Sequence, residues 1–398
     1  MTKTVLIAGL WLAYTGCAID RQDGAQDSGG SEGAIERAEL SGSLSPRRAP
    51  PGLYTLSNDA GANQVWSYLR APDGSIIRTG SFDTGGKGDG SIVAASQDAL
   101  VLDARMQRLF AANVGDNTIS MLAIDDAGTP SSLSTVASGG IRPVSIAVHD
   151  DTVYVLNQGD LAAADGSPAG LNISGFRVEG DGLVPIAGST QPLSAASNVF
   201  PTEITFTPDG RFLVVAELFT SHLDTFRVVQ GVAQPGNFQP SAGALPFAFD
   251  FSPEGFLVVA EVGNPDPTAH ASSVSSYAIS NTGTLTPVTA ALPIFQDAAC
   301  WIAMAGRFAY IVNFGSATIT GVEVSENGEM TLLDDDGVTA TTGPAAIDVA
   351  LSPDRSYLYA LAAGSHTISS FALGADGSLT ARAESSDVPA DAAGLVAR

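Results

Sequence analysis

The stretch Ala298–Leu333, AACWIAMAGRFAYIVNFGSATITGVEVSENGEMTLL, decides the fold. It predicts a short apolar strand at Trp301–Met304, a turn at Ala305-Gly306-Arg307 and a second strand at Phe308–Asn313. A turn at Phe314-Gly315-Ser316 leads to a third strand at Thr318–Val324, and Glu326-Asn327-Gly328 turns the chain into a fourth from Met330. Each run is short, rich in β-branched and aromatic residues, and bounded by Gly, Asn or Ser, the pattern of antiparallel strands joined by tight turns. Four such strands in one recurring unit describe a propeller blade.

Working outward, the second strand of the unit recurs seven times: Tyr54–Asn58, Leu109–Asn113, Val153–Asn157, Phe212–Glu217, Phe256–Glu261, Phe308–Asn313 and Tyr357–Ala362. The copies end 44 to 60 residues apart, a period that suits four-stranded blades. Before several of them lies an apolar alternation that follows a proline, as in Pro143/Ile146/Val148, Pro201/Ile204/Phe206, Pro246/Phe249/Phe251 and Pro344/Ile347/Val349. Third strands read at Thr118–Ile124, Ile173–Val178, Leu223–Val228, Val274–Ile279, Thr318–Val324 and Thr367–Leu373. The first unit starts at Gly52 without an inner strand, and the tail Pro389–Ala397 is expected to supply it. An open ring would leave two sheet edges unpaired. The expected fold is all-β: a seven-bladed propeller spanning residues 51–398, closed by a C-terminal strand.

The first 50 residues read differently. Lys3 precedes the apolar run Val5–Ala13, which ends at Tyr14-Thr15-Gly16-Cys17, the layout of a secretory signal. The run is too short to span a bilayer, and Gly16-Cys17 resembles a lipobox in which Cys17 becomes the lipidated first residue. Residues 18–50 hold almost no large apolar side chains, so they are expected to form a disordered tether. This predicts a signal over 1–17 and an exported protein: a cell-envelope lipoprotein that touches membrane only through its lipid anchor or, with ordinary cleavage nearby, a soluble secreted protein. The 42 acidic residues against 18 basic ones, net −24, repel phosphate backbones and exclude nucleic acid as a partner. Once Cys17 is processed, Cys300 has no partner for a disulfide.

Antiparallel pairing puts the end of each second strand beside the start of the inner strand, so these positions should gather at one mouth of the central channel. The second-strand ends are Asn58, Asn113, Asn157, Glu217, Glu261, Asn313 and Ala362. Beside them lie inner-strand residues Thr202, Phe247 and Trp301. The expectation is a polar ring that takes a small polar ligand. Its two carboxylates and amide oxygens would also suit a divalent cation such as Ca²⁺, although no cofactor is required. Glu217 or Glu261 could instead act as general base on a water if the pair raises one pKa. The alternative is structural: polar strand ends that satisfy neighbouring backbone. His149, His222, His270 and His366 lack metal spacing and read as loop or surface residues, and Cys300 reads as a buried inert thiol.

Three runs carry a family resemblance: Thr207-Pro208-Asp209-Gly210-Arg211-Phe212-Leu213-Val214-Val215, Asn313-Phe314-Gly315-Ser316-Ala317-Thr318-Ile319 and Ala375-Asp376-Gly377-Ser378-Leu379-Thr380. In these the chain resembles the seven-bladed lactonase family, which includes 6-phosphogluconolactonase and carboxymuconate-lactonizing enzymes. The resemblance implies hydrolysis of a lactone. The family's sugar-phosphate enzymes place His and Arg just after the inner-strand proline; here the matching positions are Thr202-Glu203, Phe247-Ala248 and Ala345-Ala346. A neutral lactone or sugar derivative is therefore expected, with Glu217 or Glu261 activating water and Asn113, Asn157 and Asn313 holding the substrate. The second expectation is a non-enzymatic propeller that binds a ligand or an envelope protein, since a fold does not fix a function.

Overall fold

The computed structural model describes residues 50–398 except 92–95, 161–168 and 265–268. The leader, Cys17 and the tether lie outside the described residues. The described chain forms seven antiparallel sheets. Numbering blades by their inner strands, blade 1 begins at Leu100–Asp103, blade 2 at Pro143–His149 and blade 3 at Pro201–Phe206. Blade 4 begins at Pro246–Phe251, blade 5 at Ala299–Ala305 and blade 6 at Ala346–Leu351. Blade 7 is shared between the two ends of the domain: Ala393–Ala397 forms its inner strand, paired to Gly52–Leu56, followed by Gln64–Arg70 and Ile76–Asp83. The C-terminal closure read from the tail is what the chain does. The inner strands meet their neighbours in order and close the ring.

The second strands Phe212–Glu217, Phe308–Asn313 and Tyr357–Ala362 run as read from the sequence. Blade 7 departs: its second strand ends at Leu56, and Asn58 lies beyond it in a left-handed conformation at φ 49°. The outer strands of blades 3 and 5 are each split, into Val232–Ala233 and Asn237–Pro240 and into Met330–Leu332 and Ala340–Thr341.

Strand periodicity explains the core. On the second strand of blade 3, Leu213 and Val215 pack toward blade 2 with Tyr154, Leu156 and Ile173, while Val214 and Ala216 pack toward blade 4 with Phe249, Leu257 and Tyr277. Successive side chains point to opposite faces of a sheet, so each central strand feeds two cores. Each fully buried large apolar side chain contributes about 1.5–3 kcal/mol.

A recurring latch crosses the seams. Tyr54 of blade 7 donates its hydroxyl to the Gly128 carbonyl of blade 1 at 2.7 Å, and Tyr154 of blade 2 to Gly231 of blade 3 at 2.8 Å. Tyr310 of blade 5 reaches Gly377 of blade 6 at 2.8 Å, and Tyr359 of blade 6 reaches Gly74 of blade 7 at 3.2 Å. Blades 3 and 4 carry Val214 and Val258 in the tyrosine position, and neighbouring hydroxyls serve instead: Thr225 on Gly283 at 2.7 Å and Ser276 on Gly328 at 2.5 Å. Blade 1 carries Phe110 there and has no hydroxyl to give; Arg108 instead meets Asp181 across the same seam at 3.2 Å. Glycine is required at the latch turn. Gly377 sits at φ +87°, and a Cβ there would lie 2.9 Å from the Phe308 ring of the preceding blade. Gly377→Ala should therefore lower stability by about 1–3 kcal/mol through strain and overpacking. Tyr310→Phe should cost about 1 kcal/mol for the lost hydrogen bond. Urea unfolding of both variants checks the order.

Candidate functional site at the channel mouth

Five inner strands begin with the same local structure. The residue before each is left-handed although it is not glycine: Arg142 (φ 58°), Phe200 (48°), Leu245 (58°), Ala298 (52°) and Ala345 (52°). Such a conformation costs about 1–2 kcal/mol per residue, and one backbone bond holds it each time. The carbonyls of Arg142, Phe200, Leu245, Ala298 and Ala345 accept from Gln158, Leu218, Val262, Phe314 and Ala363 at 2.9–3.1 Å. A bulge follows at once, leaving Val144, Thr202, Phe247, Cys300 and Ile347 out of register. Bulges of this kind re-aim side chains at the rims of closed sheets.

The re-aimed rim differs from the polar ring expected at the strand ends. Asn113, Asn157, Asn313, Glu217 and Glu261 are each 0% exposed, so none presents surface at the opening. Each turns inward to hydrogen-bond its own blade or the connection entering it, and Asn113 also reaches Asn63 of blade 7. Asn113 donates to Thr118 at 3.1 Å and Ser120 at 2.8 Å, and accepts from Asn63 and Thr84. Asn313 donates to Thr318 and Thr320, and Asn157 to Asn172, Ser174 and the Ser138 carbonyl. Glu217 accepts from the Ser194 backbone at 2.9 Å, from the Ser194 hydroxyl and from Thr220 at 2.5 Å. Glu261 accepts from Gly243 N–H at 2.9 Å, Ser241 at 3.1 Å and Ser273 at 2.5 Å. The two carboxylates share no partner; each ties down the connection that enters its own blade. Burial raises the Glu261 pKa, and the hydroxyls around it oppose that shift.

Blade 3 breaks the pattern at one place. Where Ser120 and Thr320 stand as hydroxyl partners of Asn113 and Asn313, blade 3 has Asp224 beside Glu217. Both Asp224 oxygens are buried without a donor. Burial, followed by the bond to Glu217, pushes the Asp224 carboxyl up to about 10, so it is protonated at neutral pH and donates to Glu217.

The remaining expected residues sit close to the axis. Thr202 is buried and donates to the Phe247 carbonyl at 2.5 Å, and the Phe247 ring tilts against Trp301 with centroids 4.9 Å apart. Trp301 is 2% exposed and its Nε1 has no partner. Asn58 bonds Asp89 at 3.1 Å, and Asp89 pairs with Arg142 at 3.0 Å, which places an ion pair on the blade 1–2 side of the rim. On the blade 3 side Phe200 stacks on Phe219, centroids 5.2 Å apart. Burial pushes the Cys300 thiol well above its ordinary value, so it is inert. Among the described residues no three of His, Cys, Asp and Glu are placed to hold a metal ion.

The sequence reading missed a second set of acids on the channel itself. Inner strands are edges whose N–H groups have no strand to pair with. Here five of the seven, those of blades 2, 3, 4, 5 and 7, are capped from another blade. Ser145 accepts from Ile204 N–H at 3.1 Å, Glu203 from Phe249 N–H at 2.6 Å and Asp250 from Met304 N–H at 2.8 Å. Asp348 accepts from Leu395 N–H at 2.7 Å. Gln97 takes Ile302 N–H at 3.4 Å, and the Asp98 carbonyl takes Ile146 N–H at 2.9 Å. The signal was present as the polar half of the alternation Glu203/Thr205, Asp250 and Asp348, opposite the apolar half used to place the strands. Desolvation raises all four carboxyls, and they raise one another in part: Asp98 reaches about 7 and Asp250 about 6, with Glu203 and Asp348 well above the usual range. Asp98 and Asp250 are half-buried.

Comparisons with known proteins agree with this architecture. The profile of the family described as "Lactonase, 7-bladed beta-propeller" matches residues 186–301. Among curated proteins none matches the sequence. Among solved structures, a candidate 6-phosphogluconolactonase from Bacteroides fragilis superposes with a TM-score of 0.63 at 16% identity, over 89% of this chain and 100% of that one. The periplasmic gluconolactonase of Pseudomonas aeruginosa gives 0.65 at 16% identity, over 87% and 98%. A protein from Lactobacillus plantarum gives 0.67 at 18%, over 87% and 99%. The resemblance read from the sequence is borne out by that partial profile match over residues 186–301, and the solved structures share the fold: the chain is a seven-bladed propeller.

The raised carboxyls fix a pH dependence. Asp98, Glu203, Asp224, Asp250 and Asp348 all hold protons more tightly in the folded chain than in the unfolded one. Stability from these groups is therefore full below about pH 4, the unfolded carboxyl range, and falls as pH rises through the folded values of about 6 and 7. Thermal unfolding between pH 5 and pH 8 should show a falling midpoint. Asp98→Asn, which keeps a residue tolerant of φ 61°, should flatten that fall and raise the midpoint at pH 8.

Proposed function

We propose that the protein is an exported, lactonase-type propeller that takes a small uncharged lactone or sugar derivative at the channel mouth, and that Glu217 and Glu261 hold the walls of that mouth rather than activate water. One observation carries the reading. Both carboxylates are fully buried, and each oxygen already accepts at least one hydrogen bond from within its own blade or the connection entering it. A general base needs a free lone pair within reach of a water at the substrate.

An uncharged ligand follows from the charge. The rim arginine, Arg142, is already paired with Asp89, and a chain of net −24 repels phosphorylated sugars. The periplasmic gluconolactonase from Pseudomonas aeruginosa has the same fold, which makes D-glucono-lactone the natural first probe. Export and lipidation at Cys17 rest on the leader Val5–Ala13 and on Gly16-Cys17. Metabolic labelling with a fatty acid should mark the wild type and not Cys17→Ser.

Glucono-lactone and other neutral lactones should raise the thermal midpoint of the purified propeller, while their 6-phosphorylated counterparts should not; a shift with the phosphorylated compounds alone would refute the reading. Glu217→Gln and Glu261→Gln should each lower the midpoint. Any lactone turnover in the folded variants should stay within about twofold of the wild type. A lactone rate abolished in either variant at unchanged midpoint would return that carboxylate to the chemistry.

A further inference from the structure

The histidine that sequence spacing dismissed as a loop residue is the one imidazole among the described residues with a built carboxylate partner on the mouth face. His270 lies in the connection between the second and third strands of blade 4, after Glu261, and Asp297 lies two residues before the inner strand of blade 5. Both connections open on the face where Ala299 pairs with Asn313, the strand-end face of the ring. Asp297 Oδ2 is 2.9 Å from His270 Nδ1, and Oδ1 accepts the His270 backbone N–H at 2.7 Å. The carboxylate side chain is 9% exposed, whereas the imidazole is 65% exposed. Asp297 is fixed in turn: its N–H donates to Ser316 at 2.8 Å, and its carbonyl takes Gly315 N–H at 3.0 Å.

A carboxylate held on Nδ1 sets the tautomer. Nδ1 carries the proton, and Nε2 of the exposed ring is left as the acceptor. A buried acid orienting an exposed imidazole is the base-and-orienter half of hydrolytic triads. Water, rather than a protein hydroxyl, is the nucleophile available to an imidazole that stands in solvent.

We propose that His270, oriented by Asp297, is the general base with which this propeller hydrolyses the lactone bound at its mouth. The proposal rests on the mouth-binding reading above and supplies the base that Glu217 and Glu261 cannot. In the step, Nε2 takes a proton from water as the water oxygen bonds to the lactone carbonyl carbon. The tetrahedral centre collapses with cleavage of the ring C–O bond, and the imidazolium returns its proton to the departing ring oxygen. Lactone and water become one hydroxy acid, with no other reactant. His270 is the catalytic residue and Asp297 a positioning residue.

The test measures hydrolysis of D-glucono-lactone and a panel of neutral lactones against pH, above the spontaneous rate. Wild type should show kcat/KM rising with pH along a single-proton limb. His270→Gln should lose about 10²–10⁴-fold together with that limb, with an unchanged thermal midpoint because the side chain is exposed. Asp297→Asn should lower kcat with little change in KM and shift the limb, which a merely structural contact would not do. Equal rates in wild type and His270→Gln would overturn the inference and leave the binding reading standing. No turnover in wild type, with lactones still raising its thermal midpoint, would also overturn it. Lactones that neither turn over nor shift the midpoint would remove the binding reading itself.

Discussion

A closed ring of blades sets a problem at its axis. Seven inner strands face one another as edges, too far apart to pair, and each leaves backbone N–H groups that cannot be buried unsatisfied. The chain meets this with side chains passed across the seams. Glu203, Asp250 and Asp348 reach the inner strand of the next blade, with Ser145 doing the same through a hydroxyl. These acceptors fix the spacing of the blades at the axis, as the tyrosine-to-glycine latches fix it further out. Carboxylates are strong acceptors, but crowding them in one channel raises their proton affinity.

The same economy governs the mouth. The polar strand ends are consumed in holding the connections that enter each blade, so they are walls and not a surface. What faces the opening is supplied by residues just outside the strands, where a left-handed residue and a bulge swing the chain. Function-bearing side chains are therefore sought on the connections: the Arg142–Asp89 pair, the Phe200–Phe219 stack and the His270–Asp297 pair. Loops on a rigid scaffold are where folds of this kind ordinarily place their chemistry.

Most of the architecture was legible because a blade repeats its signals. The Val/Ile/Phe runs at Phe212–Glu217 and Phe308–Asn313, and the glycines at latch turns, state strand and turn seven times over. Blade 7 was also legible, because a missing inner strand at Gly52 and a spare segment at Pro389–Ala397 answer each other. The site was less so. The left-handed turns at Arg142, Phe200 and Leu245 precede prolines, a context that normally favours extended backbone, and nothing local announces them. Pairing of Asp297 with His270 joins two connections 27 residues apart, and depends on how blades 4 and 5 are set side by side. Glu203 and Asp348 were visible as alternation, but their partners, Phe249 and Leu395, belong to other blades.

The seam between blades 1 and 2 is the odd one of the ring. Phe110 brings no hydroxyl to it, and the Arg108–Asp181 contact that spans it is an exposed ion pair at 3.2 Å. A hydroxyl buried against a carbonyl is indifferent to dissolved ions, whereas such a pair weakens as they accumulate. That spoke joint, held by an ion pair without a hydroxyl latch beside it, loses grip as ionic strength rises, and breathing of the ring in brine should begin there.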